Sequence, residues 1–167
     1  MIFGSDLDLQ KLVGWPGAAF HAIVIAENSN PLSKNYIGGG IDVQENAAPF
    51  NLVRFLNFTL EQKFTLRHEN DLQIIAGRMA ATPYFMQSVL TCLFMNHSFC
   101  GPMYGFTQST GTAVAPVASW GGLTRYSLTS NVYGQFGGFA VDGNTLRAST
   151  GIFDWSTGGV SGVNLLS

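Results

Sequence analysis

The side chains best placed to do chemistry are polar residues set into apolar runs with a two-residue period. Asn57, Thr59 and Glu61 alternate with Leu56, Phe58 and Leu60, so a strand here puts one carboxylate at its end on a polar face, backed by an apolar row. Ser119, Arg125 and Ser127 oppose Ala118, Trp120, Tyr126 and Leu128; Tyr133 and Gln135 oppose Val132 and Phe136; Gln73 opposes Leu72 and Ile74. A carboxylate, a guanidinium, amides, hydroxyls and a phenol on one face make a set for exchanging hydrogen bonds with a polar ligand. Two structural roles compete with binding: Glu61 as a solvated residue near a turn, and Arg125 as its ion-pair partner. Arg54 and Arg78 fall on the apolar parity of their strands, so either reaches water only at a rim.

Little in the sequence suits bond making or breaking. His21, His68 and His97 lack metal-ligand spacing, and G-x-S-x-G, P-loop and H-E-x-x-H motifs are missing. Gly38-Gly39-Gly40 reads as a flexible turn. Asp6 and Asp8 share a face but lie at what reads as a frayed start, which disfavours a glycosidase with two positioned carboxylates. Cys92 and Cys100 suit either a small loop disulfide in an oxidising compartment or two buried thiols. With only His97 between them, they supply too few ligands for zinc. The expectation is a protein that is not an enzyme and carries no cofactor or metal.

The elements that would position the polar face are strands. Charged residues make up 11% of the 167, against roughly 25% in an ordinary soluble domain, while hydrophobic residues reach 46% and aromatics 13%. That balance excludes a disordered chain. The net charge of -2 and the lack of a Lys/Arg cluster argue against nucleic acid as a partner. No apolar run approaches the roughly 18 residues of a membrane-spanning helix. Strand patterns cover Leu56–Leu60, Asp71–Met79, Ala118–Leu128 and Val132–Ala140, and Ala19–Glu27 is a less clear case, apolar on both faces. Between them the connections run long, short, long, short, long. A compact soluble domain rarely tolerates structureless loops beyond about 12–15 residues, whereas an outer-membrane barrel alternates short turns with long loops. A β-sandwich binding glycans on its loops, lectin- or adhesin-like, is the alternative.

The motifs themselves resemble a known family. Gly14-Trp15-Pro16-Gly17 followed by Phe20-His21-Ala22 resembles the opening of the mature barrel in carbohydrate-selective porins of the OprB type. Asn35-Tyr36-Ile37-Gly38 is similar to that family's first long loop. Arg54 followed by Leu60-Glu61-Gln62 resembles its strand running from an arginine to "YEQ", and Ala76-Gly77-Arg78 its "AGR" strand ending. Phe94-Met95-Asn96, Ser98-Phe99-Cys100-Gly101 and Ala118-Ser119-Trp120-Gly121 resemble the loop and strand that follow. The order and spacing of these motifs over Leu12–Ala140 carry the resemblance.

The resemblance implies an all-β fold, an antiparallel transmembrane β-barrel in the outer membrane of a Gram-negative bacterium, and passive diffusion of mono- or oligosaccharides. Such porins have about sixteen strands; about five to eight are expected here. Residues 1–167 are therefore expected to be a partial barrel domain, truncated at both ends, whose partners include outer-membrane lipid and the remaining strands. The pore-lining set implied is Glu61, Arg125, Asn57, Arg78, Arg54, Gln73, Tyr133 and Gln135, with Trp120 and Tyr126 suited to interfacial girdles. The stretch from Thr82 to Tyr104 is too aromatic for a freely solvated loop. It is expected either to fold into the lumen as a constriction, through Tyr84, Phe85, Phe94, Asn96, His97 and Phe99, or to anchor the loop to the wall.

Overall fold

The computed structural model describes residues 1–28, 33–38, 52–67, 70–85, 93, 110–113, 117–141 and 161–166. They form the strands β1 (Ile2–Asp8), β2 (Ala18–Glu27), β3 (Leu52–Arg67), β4 (Asn70–Met79), β5 (Ser119–Ser127), β6 (Tyr133–Val141) and β7 (Ser161–Leu166). A five-residue helix, α1 (Leu9–Val13), joins β1 to β2. Each strand pairs antiparallel with its neighbour in sequence, giving one seven-stranded sheet in the order β1 to β7. Among the described residues there is no second sheet to make a sandwich.

The connections sort by length. α1 and a turn link β1 to β2, two residues separate β3 from β4, and Leu128–Val132 joins β5 to β6. The segments after β2, β4 and β6 are long. A meander places alternate connections at opposite ends of a sheet, so all the short ones lie at one end and all the long ones at the other. Local chemistry closes the short end. Asp8 caps α1 by accepting from the Gln10 and Lys11 amides, and Gly14 ends the helix in the left-handed conformation at φ 73°. In the β5–β6 turn, Thr129 Oγ1 accepts from the amides of Asn131 and Val132.

Strands β2, β4, β5 and β6 are 9 or 10 residues long, the length that spans a bilayer when tilted, about 9–11 residues. Their faces are inverted relative to a soluble sheet. Phe64, Ile74 and Phe136 are exposed at 44%, 39% and 53%, whereas Thr59 and Gln135 are buried at 0% and 3%. The buried side is called the inner face below, and the apolar side the outer face.

A bulge sets which residues look inward. Ile23 pairs with Asn57 but Val24 pairs with Phe55, so Leu56 is an extra residue in β3. The two-residue alternation reverses there. Arg54, which continuous parity assigns to the apolar side, instead pairs with buried Ile25 and is itself 5% exposed. Arg78 keeps the parity read from the sequence and is buried all the same. It shares a register row with Phe58 and Trp120 yet is buried, directly after Gly77 at φ 146°. A Cβ at Gly77 would sit 2.3 Å from the Phe58 carbonyl oxygen, so only glycine fits.

After β4 the chain turns back onto the inner face. Ala81 and Phe85 join Ile75, Met79, Leu123 and Phe139 in one buried cluster, with Tyr84 packed beside it. Phe85 and Phe139 meet edge to face at 5.9 Å. Glycines make room for these rings: a Cβ at Gly121 would lie 2.5 Å from the Phe139 ring, and one at Gly137 would lie 3.1 Å from both rings.

Candidate functional site

Antiparallel register turns the alternating polar residues into cross-strand rows on the inner face. Gln73 of β4, Arg125 of β5 and Gln135 of β6 occupy one row. Arg125 Nε and Nη2 both donate to Gln135 Oε1, at 3.0 and 2.9 Å, and the guanidinium lies over the Tyr133 ring, 4.5 Å from its centroid. Gln135 is saturated from both ends, because its Nε2 donates to the Tyr84 carbonyl at 2.6 Å. Arg125 is thus tied to Gln135 and Tyr133. Glu61, the competing partner, is engaged elsewhere.

Glu61 lies inside the sixteen-residue β3, six residues before its end at Arg67, rather than at the strand terminus expected from the sequence. Its side chain is 14% exposed, so it is not a solvated turn residue. His21 Nε2 approaches Glu61 Oε2 at 3.1 Å, Lys63 Nζ lies 3.4 Å from Oε1, and Gln73 also hydrogen-bonds the carboxylate. On its other side, His21 Nδ1 lies 2.5 Å from Asp6 Oδ1. The result is a run of ionisable groups across β1, β2 and β3, in which His21 sits opposite Asp6 and reaches Glu61 diagonally.

Tyr84 joins the two groups. Its carbonyl receives Gln135, while its phenol oxygen accepts from the Asn57 side-chain amide in the neighbourhood of Glu61. Burial pushes the phenol above its ordinary value, against the opposing effect of the Asn57 hydrogen bond, and the Glu61 charge pushes it further up. The neutral O–H is therefore the form presented at neutral pH.

Most of the residues singled out from the sequence meet on this face. Glu61, Gln73 and Asn57 converge with Tyr84; Arg125, Tyr133 and Gln135 form the second group. Arg54 and Arg78 are buried near the long-connection end, away from both groups along β3 and β4. Phe85 fills the cluster under the returning segment. Phe94, Asn96, His97, Phe99, Cys92 and Cys100 lie outside the described residues. On the outer face Tyr126 accepts from Asn70 Nδ2 at 3.3 Å at the short-connection end, and Trp120 stands near the other end of the same strand.

Sequence reasoning missed Asp6, His21 and Lys63. Asp6 belongs to a paired strand, not a frayed start, and the Asp6–His21 register is not encoded in any local pattern. The two-residue spacing of Asp6 and Asp8 was the available signal. No group of three or more His, Cys, Asp and Glu suited to a metal occurs among the described residues. No helix among them is long and apolar enough to cross a membrane, which says nothing of strands.

The arrangement can do one kind of work: offer fixed donors, acceptors and a phenol along an inner wall whose reverse side is apolar. Known proteins are similar to this chain in sequence and fold. The family described as "Carbohydrate-selective porin, OprB family" matches residues 2–166. Porin B of Pseudomonas aeruginosa is 28% identical over 97% of this chain, which spans 36% of that protein. A high-pH structure of Pseudomonas putida OprB superposes on 99% of the chain with a TM-score of 0.85 at 25% identity, and the chain spans 39% of it.

Proposed function

Because the chain belongs to the OprB family of carbohydrate-selective porins, we propose that it forms part of the wall of an outer-membrane β-barrel through which sugars diffuse passively. Residues 1–167 supply a seven-stranded portion of that wall, and the remaining strands of the closed barrel are its structural partner. The outer membrane is its location, with lipid against the outer face.

The observation that carries this reading is the inverted distribution of side chains. Large apolar residues are exposed along the outer face, while Thr59, Arg54 and Gln135 are buried on the other side. In water such a sheet would expose far more contiguous apolar surface than a soluble monomer carries. Against hydrocarbon the same surface needs no cover.

Transport follows from weak, exchangeable contacts. A mono- or oligosaccharide moving along the inner face trades water for hydrogen bonds to Glu61, Gln73, Asn57 and the free donors of Arg125, and packs its apolar face on Tyr133 or Tyr84. No single contact is strong enough to hold it, which passage requires. Tyr84 and Phe85 place the start of the long segment after β4 against the inner wall, which supports a constriction there. The chemistry is diffusion, not catalysis.

Two measurements test this. The chain is expected to partition into detergent micelles or membranes; a monodisperse, detergent-free monomer would overturn the reading for this polypeptide. In liposomes bearing the closed barrel that contains it, swelling rates are expected to fall with sugar size. Glu61→Ala and Arg125→Ala should change sugar-dependent block of single-channel current, and an unchanged block would remove both from the sugar path.

A further inference from the structure

Both ring nitrogens of His21 lie within hydrogen-bond distance of a carboxylate, Nδ1 at 2.5 Å from Asp6 and Nε2 at 3.1 Å from Glu61. An ionised carboxylate only accepts hydrogen bonds, and a neutral imidazole has one donor and one acceptor nitrogen. With both carboxylates ionised, only the imidazolium donates on both sides. The two partners differ in exposure: the Asp6 side chain is 79% exposed and that of Glu61 14%. The bridge therefore runs from a solvated anchor to the half-enclosed carboxylate on the polar wall.

The groups facing the imidazole can be named element by element. β1 presents Asp6, and β3 presents Glu61 with Lys63 beside it. β4 presents the neutral Gln73, and the segment after β4 brings the Tyr84 phenol near Glu61. Asp8, one step along β1, is engaged by Lys11 at 3.5 Å. Lys63 touches Glu61 Oε1 and His21 touches Oε2, so the two cations hold different oxygens of one carboxylate.

We propose that His21 is a positioning residue: bridged between Asp6 and Glu61 as an imidazolium, it fixes the Glu61 carboxylate in the orientation that meets sugar hydroxyls, and lets it turn when the ring loses its proton. A deprotonated His21 faces one carboxylate with a lone pair, so one of the two contacts must break. The Glu61 contact, at 3.1 Å against 2.5 Å to Asp6, is the longer and the one released, which leaves Glu61 with Lys63 and Gln73. The inference rests on Glu61 lining the sugar path, but the bridge itself stands on geometry independent of that.

The test uses the full chain, folded in detergent micelles and checked by circular dichroism, with ring-nitrogen and carboxyl-carbon NMR and glucose as the probe. In the unsubstituted protein, one histidine is expected to show both ring N–H protons protected from exchange at mildly acidic pH. It should vanish in His21→Gln and lose its Nδ1 protection in Asp6→Asn, a change at an exposed site. The Glu61 carboxyl signal should move as His21 deprotonates and stay still over that range in His21→Gln. Glucose affinity should fall about tenfold across the same range, the scale of one charge-assisted hydrogen bond. In His21→Gln it should be weak and flat, and His21→Arg should restore it without the pH step.

A neutral His21 tautomer at the pH where Asp6 and Glu61 are ionised would overturn the bridge. So would a Glu61 signal with the same pH profile in His21→Gln. Identical glucose pH profiles in the two proteins would overturn the positioning role. If the unsubstituted chain bound no glucose, the sugar path would fail, while the nitrogen and carbon signals would still decide the bridge.

Discussion

Gln135 illustrates how much a single side chain can hold in an inverted sheet. It is 3% exposed, takes two bonds from Arg125 and gives one to the Tyr84 carbonyl. Gln135→Leu keeps the size of the residue but takes the acceptor from a half-buried guanidinium and the donor from the Tyr84 carbonyl. Such losses cost about 2–4 kcal/mol together, and the expected outcome is a matching drop in stability on urea unfolding in micelles. Gln135→Glu keeps an acceptor for Arg125 and sets a carboxylate oxygen against the Tyr84 carbonyl, so it should fall between. The residue type and inward parity of Gln135 were legible from alternation in the sequence. Its partners were not, because Tyr84 reaches it from 51 residues away and no local period records that contact. The same holds for His21, which carries no local signature of its role, since both its partners come from other strands.

At the scale of elements, the cores of β2 to β6 and the alternation of short and long connections could be read from the sequence, since polar–apolar periodicity and turn residues are local signals. Two features escaped. β1 has seven residues that cycle too little to stand out, and α1 is held by a cap at Asp8 and a left-handed Gly14 rather than by an amphipathic face. The bulge at Leu56 escaped as well, because the run from Leu56 to Glu61 reads as regular alternation whether or not a residue is extra. The bulge can be tested by removing it. Deleting Leu56 leaves Asn57, Phe55 and Arg54 opposite Ile23, Val24 and Ile25 in regular alternation, so Arg54 stays on the inner face. The expected outcome is an unfolding midpoint in micelles close to that of the unsubstituted chain. A loss of about 2–4 kcal/mol, the cost of an arginine on the lipid face near the bilayer midplane, would mean that Arg54 changes sides.

The whole sheet separates its surroundings in two directions at once. Across its thickness it divides an apolar exterior from a polar interior, and that division was readable from parity in the sequence. Along its length, the meander gathers the α1 connection, the β3–β4 turn and the β5–β6 turn at one end, and the segments after β2, β4 and β6 at the other. A molecule built this way has an address system. Any tag, cleavage site or cysteine reports which compartment it occupies from its strand number alone, without knowledge of the channel's contents. A cysteine placed at Asn131, in the β5–β6 turn, and one placed at Tyr36, in the segment after β2, should react with a membrane-impermeant thiol reagent from opposite sides of a sealed membrane. Labelling of both from one side would mean that the sheet does not cross. Insertions should be tolerated unequally too, since the connections at one end are already long while the short end is fastened by caps and turns. In outer-membrane barrels long loops face the cell exterior and short turns the periplasm, so the same asymmetry would give the two sides of the membrane unlike surfaces, one long and open to change, the other short and fastened.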